Sequence, residues 1–386
     1  MNALAPHYSR FNVANRLLLT GHSHQAWPDV AEEGHIEAFC DAAELVDEKW
    51  TRAFAKADDV REGFRKLLDD DNSSEYSLAA STHDLLIKFI SALPLSQRPK
   101  LISTTGEFHS LKRQLDRLQE TGIEIVRLAP EPIETLSERV AKLINDRTAA
   151  VFISWVMFES SRIVPNLSEI ERACQKHGAK FLIDAYHALN VVDVSLTREK
   201  LTQAYVVGGG YKYCQLGEGN CFLRYPKDSD LRPLWTGWFA DFKSLEKLGD
   251  NEIVAYGNHG QRFAGATYDP ASHYRASRVF RFFEEMKLTP TILRKVSQRQ
   301  IKLLAESFDA LDLDPKLIRR EKFSLETLGG FLSLATPQAG HLCKLLRKQG
   351  VLTDYRGEYL RFGPAPYLSD KQLTNAIEAL REVANS

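Results

Sequence analysis

From about residue 78 to residue 225 the chain alternates short, continuously apolar runs with longer polar segments. The runs are Lys100–Ser103, Glu124–Leu128, Ala149–Trp155, Phe181–Asp184, Ala204–Val207 and Asn220–Tyr225. Their β-rich composition predicts strands, and unbroken apolarity predicts strands buried on both faces. Several are flanked by segments of helical length: Leu111–Thr121, Ile133–Asn145 and Leu167–His177. Strand, helix, strand at this spacing is the pattern of a mostly parallel sheet with covering helices.

After about residue 290 the pattern changes. A helical stretch, Thr291–Leu311, leads to a β-like Gly330–Ala335 and a helix near Ala339–Gln349. A second β-like piece surrounds Tyr359–Phe362, and Ser369–Ala384 reads as a closing helix capped by Ser369 or Asp370. The expected organisation is an α/β protein in three parts. Residues 1–60, mainly helical after Asp29, form an N-terminal segment packing on both domains; residues 61–288 form a large domain, and residues 289–386 a smaller α+β domain.

Composition narrows the function. The 386 residues are 44% hydrophobic and 26% charged, which excludes a disordered or fibrous chain. Fifty basic against 51 acidic residues leave a net charge of -1, giving no electrostatic reason to expect nucleic acid or an anionic membrane as partner. No stretch approaches the ~18 uninterrupted apolar residues of a membrane span. Charges and polar residues run through Met1 to Gly21, so no secretory signal is expected there. The five cysteines are scattered and odd in number, without a CxxC, against both a disulfide framework and a zinc site. The expectation is a cytoplasmic enzyme acting on a small molecule.

The candidate chemistry lies between Phe181 and Phe222. Phe-Leu-Ile-Asp184-Ala-Tyr-His187 places an acid just after a buried strand, with a histidine close behind. Ala-Tyr-Val-Val then runs into Gly208-Gly209-Gly210-Tyr211-Lys212. Open parallel sheets bind ligands at the carboxyl ends of their strands, so both groups are expected to face one crevice. The glycines suggest a close backbone approach, whereas a dinucleotide fingerprint is absent. An acid and a lysine together suit pyridoxal phosphate (PLP), which needs a lysine for its Schiff base and a carboxylate for its pyridinium nitrogen. Ser81 and Thr82, just before the apolar helix Leu85–Leu93, offer a phosphate cup. The alternative for them is an ordinary helix cap.

These segments, with Gly237-Trp238-Phe239 and Arg361-Phe-Gly-Pro-Ala-Pro-Tyr-Leu, resemble the fold-type I PLP enzymes, in particular the aminotransferase class V group and its kynureninase-like branch. The resemblance runs from about residue 17 to residue 370. It implies a PLP-dependent transferase fold (aspartate aminotransferase-like) and a homodimer with sites at the interface. It further implies that Lys212 is the Schiff-base lysine and proton carrier, and that Asp184 pairs with the pyridinium nitrogen. His187 would lie near the phenolic oxygen or phosphate, with Tyr211 beside the phosphate and assisting proton transfer. Ser81, Thr82, Trp238 and Thr267 would reach the phosphate, Thr267 from the neighbouring subunit. Phe108 would cover the pyridine face. Arg361 would pair with the substrate's α-carboxylate, a fork suited to guanidinium.

The chain also departs from that pattern. Thr267 stands near an asparagine of kynureninases, and the kynureninase opening Gly-Asn-Ser-Leu-Gly reads Gly21-His22-Ser23-His24-Gln25. His22 and His24 are expected either to line the substrate pocket or to be turn residues. Where desulfurases carry an amide, Val156-Met157-Phe158 is apolar, and no mobile-loop cysteine stands near Arg361, which disfavours desulfuration. Cys214 and Cys221 read as core thiols, and Asp69-Asp70-Asp71 as a solvated loop. The favoured expectation is transamination of an α-amino acid. The alternatives are a kynureninase-like hydrolase or lyase cleaving at Cβ or beyond, and a catalytically dead homologue, against which the intact Lys212, Asp184 and Arg361 argue.

Overall fold

A computed structural model describes residues 2–71, 73–244 and 253–384. The strands, in chain order, are β1 (Leu17–Leu18), β2 (Ser74–Ala79), β3 (Lys100–Thr104), β4 (Glu124–Leu128), β5 (Thr148–Ser154), β6 (Lys180–Asp184), β7 (Tyr205–Gly209), β8 (Cys221–Pro226), β9 (Leu332–Ala335), β10 (Val351–Leu352), β11 (Asp354–Arg356) and β12 (Tyr359–Phe362). The α-helices are α1 (Val30–Leu45), α2 (Trp50–Leu67), α3 (Thr82–Ser91), α4 (His109–Glu120), α5 (Leu136–Ala141), α6 (Leu167–His177), α7 (Ala271–Glu285), α8 (Pro290–Asp309), α9 (Ala339–Lys348) and α10 (Asp370–Ala384).

Among the described residues the main sheet has seven strands in the order β2-β8-β7-β6-β5-β3-β4. Strands β4, β3, β5, β6 and β7 pair in parallel, and β8 runs antiparallel to both β7 and β2. Six strands therefore share one direction, and their carboxyl ends share one edge. Every residue of β3, β5, β7 and β8 is buried, as unbroken apolar runs require; β4, on the sheet margin, is only half-buried. The α/β class and mostly parallel sheet expected from the sequence are present.

A second sheet, β11-β12-β9, is antiparallel and flanked by α9, α8 and α10. The N-terminal segment meets both halves of the molecule. Strand β1 pairs in parallel with β10, while α1 and α2 pack on α7. Besides the short strands β1, β10 and β11, two longer elements escaped the pattern reading. Strand β2 (Ser-Glu-Tyr-Ser-Leu-Ala) is a half-polar edge strand, and α7 hides its apolar face among arginines and glutamates. Ile133–Asn145 forms only a short turn and the six-residue α5.

One other expectation is made specific and one is corrected. The three glycines before Lys212 make room for the protein's own side chains. A Cβ at Gly208 would meet Leu189 at 2.7 Å, one at Gly209 the Tyr186 hydroxyl at 2.5 Å, and one at Gly210 Leu216 at 2.6 Å. Nor is Asp69-Asp70-Asp71 simply a solvated loop. Asp70 is buried and takes a side-on fork from Arg224 Nε and Nη2, both at 2.9 Å, while the Tyr76 hydroxyl donates to it at 2.7 Å. Arg224 also donates to the Thr202 and Ala204 carbonyls, tying β8 to the loops on either side. Removing one partner of a buried pair strands the other charge, at a cost of about 3–5 kcal/mol. Asp70→Ala should therefore lower the unfolding free energy measured in urea by that amount, and the paired replacement Asp70→Leu with Arg224→Met should recover most of it. A loss below about 1 kcal/mol in the single variant would show that water reaches the pair.

Candidate active site

The aligned strand ends bring the chemistry together. Asp184 closes β6, with Ser154 of β5 on one side and Val207 of β7 on the other. Lys212 follows β7, Phe108 follows β3, and Ser81 and Thr82 follow β2. These residues line one cavity of about 310 Å³ with Tyr186, His187, Tyr211, Val156 and Phe158. That is a volume suited to a small ligand.

Lys212 is buried, its Nζ 2.6 Å from His187 Nε2. The rings of Tyr186 and Phe108 stand 4.7 and 5.4 Å from the same nitrogen. Burial disfavours the ammonium and lowers its pKa to about 7; Asp184 pulls the other way and Arg361 reinforces the shift. His187 is held well below the usual imidazole range by burial and by the nearby Lys212 and Arg361 charges, and its Nδ1 is buried without a hydrogen-bond partner. Asp184 is half-buried and accepts the Tyr186 amide at 2.8 Å. Burial raises its pKa despite that bond and Lys212.

Ser81 caps α3, accepting the Asp84 amide at 3.2 Å, so it serves as an ordinary cap while the helix N-terminus opens on the cavity. His24 is exposed and does not line the cavity, but it stacks on Tyr211, which does, with centroids 4.7 Å apart. His22 is fully buried and does not line the cavity; its Nε2 donates to Asp354 Oδ1 at 2.6 Å. Arg361 is also buried, with its Nε and Nη2 on Asp354 at 2.8 and 2.6 Å. Trp238 and Thr267 are exposed and lie off this cavity. Their neighbours Trp235, Phe239, Phe242, Ala266 and Tyr268 line an adjoining groove of about 1000 Å³, which meets the cavity at Ala80, Glu218 and Gly219.

Three contributors were missed in the sequence. Asp354 carried no motif, and only the β11–β12 register, which sets it opposite Arg361, reveals it. Phe331 packs between His22 and His187, with the Arg361 guanidinium 5.4 Å from its ring. Glu107 is buried behind the cavity, where its carboxylate accepts from the Thr104 and Ser154 hydroxyls at 2.7 and 2.6 Å. The nearest signal for it was Glu-Phe-His-Ser after a predicted strand.

Comparison with known proteins shows what the chain resembles. The Kynureninase C-terminal domain family matches residues 293–380. Kynureninase of Bacillus mycoides (strain KBAB4) is 20% identical over 324 residues, covering 80% of this chain and 72% of the relative. Kynureninase of Bacillus cereus (strain ZK / E33L) is 20% identical over 318 residues with the same coverages. Among solved structures, a C-DES mutant with glycine covalently linked to its PLP cofactor superposes with a TM-score of 0.82 at 13% identity, covering 98% of both chains. The chain is similar to kynureninases in sequence and shares the fold of this PLP-linked structure. The apo cysteine desulfurase of Thermococcus onnurineus NA1 has the same fold, with a TM-score of 0.77 at 15% identity over 96% of this chain and 95% of that one.

The residues of this kynureninase-like chain fit PLP. The cavity offers a buried amine of lowered basicity at Lys212, a carboxylate at Asp184, a helix N-terminus for an anion and an unpartnered ring nitrogen on His187. Cys214 and Cys221 are buried, and burial pushes the Cys221 thiol up to about 12, as suits core thiols.

Glu107 makes stability depend on pH. Burial, opposed by its two hydroxyl partners, raises its pKa from 4.5 to about 7. Between those values the unfolded chain has lost a proton that the folded chain keeps, so this group's contribution falls as pH rises and is constant above about 7. Glu107→Gln removes that dependence. Its stability relative to the parent should improve by about 2–3 kcal/mol from roughly pH 5 to pH 8 in urea unfolding. A pH-independent difference would mean that Glu107 ionises normally.

Proposed function

We propose that this protein is a PLP-dependent enzyme that cleaves a bond at Cβ or beyond in a small α-amino acid. The observation that carries the proposal is Lys212: a buried amine of lowered pKa, beside His187 and Asp184 at the shared edge of the parallel strands. When bound, PLP supplies an electron sink for charge developing at the substrate's α-carbon. Near neutral pH Lys212 has a large uncharged fraction, so it can accept the α-proton and return it elsewhere. With PLP bound, Asp184 would hold a proton at the pyridine nitrogen, Ser81, Thr82 and the α3 amides would hold the phosphate, and His187 would lie near the phenolic oxygen. Phe108 would cover the ring face, Tyr211 would assist proton transfer, and His24 would stand beside Tyr211. Arg361, buried outside the cavity lining with its fork on Asp354, would be the group that takes the substrate's carboxylate.

The sequence alone favoured transamination. Similarity to enzymes named for cleavage shifts the preference: the curated relatives are kynureninases, and another close structural neighbour is the cystine C-S lyase C-DES in complex with cysteine persulfide, its product. Desulfuration through a protein cysteine is not proposed, because Cys343 is buried in α9 and donates to the Thr353 carbonyl. In this reading a second copy of the chain would cover the groove beside the cavity, bringing Trp238 and Thr267 toward the phosphate site of a homodimer.

Incubating the PLP-loaded protein with kynurenine, cystine and simple amino acids, without a 2-oxo acid, tests the reaction type. The expected outcome is repeated turnover with release of the cleaved fragment. Turnover that requires an added 2-oxo acid would establish transamination instead. In either case Asp184→Asn should fold normally and lower kcat by at least about 100-fold, because a neutral pyridine is a poor electron sink. Near-normal turnover would reduce Asp184 to a strand-end residue.

A further inference from the structure

Arg361 is buried in the small sheet, outside the residues that line the Lys212 cavity but near enough for its charge to disfavour the Lys212 ammonium, and its side-on edge is already engaged. Asp354 stands directly opposite it in the β11–β12 register, so neither backbone can move aside without unpairing the sheet. The two carboxylate oxygens take Arg361 Nε at 2.8 Å and Nη2 at 2.6 Å, the parallel geometry in which guanidinium grips a carboxylate. Arg361 Nη1 donates to the Phe158 carbonyl. Asp354 is fixed in turn by His22 Nε2 at 2.6 Å, with Arg356 at 3.9 Å. His22 is itself locked in place, since a Cβ on Gly363 would come within 2.1 Å of its Nδ1.

We infer that Asp354 is a specificity-determining residue: it fills the carboxylate-gripping edge of Arg361 with a carboxylate of the protein's own. The inference rests on the reading of the Lys212 cavity as an amino-acid site. A substrate carboxylate can take the side-on fork only by displacing Asp354 from Arg361 and His22 together. If it approaches Arg361 elsewhere, it does so beside a like charge, an arrangement that weakens binding strongly. Asp354 therefore weakens the grip of Arg361 on a free amino acid's carboxylate without removing amino acids as the substrate class, and an amide-masked carboxylate loses less.

The test uses Asp354→Asn, which keeps the shape and removes the charge, with Asp354→Ser as a second variant should the first fold poorly. Visible absorbance of each protein after addition of PLP reads cofactor loading independently of substrate. Spectral titrations of the loaded proteins then compare L-alanine with L-alaninamide. In the parent, alaninamide should bind at least as tightly as alanine. In the variants, alanine should tighten on the order of 10- to 100-fold while alaninamide changes less than about threefold. Calorimetric titration of the cofactor-free proteins with propionate should show the same tightening. If PLP fails to load, the amino-acid reading falls, and the propionate titration still decides the role of Asp354. Alanine and propionate binding that is unchanged, weaker or undetectable in the variants would overturn the inference and make Asp354 a positioning residue for Arg361.

Discussion

An amine removed from water must find an anion or give up its charge, and the active half of this molecule is organised around one such amine. Lys212 sits among Tyr186, Phe108 and Tyr211 with His187 against its nitrogen. Asp184 favours the charged form, but burial outweighs it and brings the pKa to about 7. The result is a lysine that can act as base or nucleophile near neutrality, which an exposed lysine cannot. The same burial keeps His187 neutral, so the pair does not repel.

Sheet direction makes that burial possible. Because β2, β3, β5, β6 and β7 all end on one edge, five separate stretches of chain deliver Ser81, Phe108, Ser154, Asp184 and Lys212 to one place without long loops. Phe181, Leu182 and Ile183 behind Asp184, and Tyr205 to Val207 behind Lys212, are buried apolar residues, so the polar groups rest on a packed platform. The small sheet approaches from the other side and contributes Arg361, already matched by Asp354 and His22. The cavity thus holds a base and an acid on a rigid sheet, and beyond its lining lies a cation whose charge is balanced internally.

Much of this was legible in the sequence because the large domain follows a strong periodic rule. The apolar runs named β3, β4, β5, β6, β7 and β8 to within a few residues, and a lysine and an acid at strand ends are what a crevice at the carboxyl edge requires. Elements that lean on neighbours were not legible: β2 draws its stability from one pairing partner, and α7 from α1 and α2. The glycines before Lys212 were read as a close backbone approach, and what approaches is the protein's own Leu189, Tyr186 and Leu216, a partner the letters alone do not name. Asp70 and Asp354 were missed for a common reason. Each is a carboxylate whose arginine lies elsewhere in the chain or across a strand register, and composition carries no trace of such a pairing.

The central claim is that Lys212 is the amine that takes up the cofactor. Borohydride reduction of the PLP-treated protein, followed by proteolysis and peptide mapping, reads it directly. The account predicts one pyridoxyl group per chain, on the peptide containing Lys212, and no stable label in Lys212→Ala. A label on another lysine, or one that survives in Lys212→Ala, would contradict it.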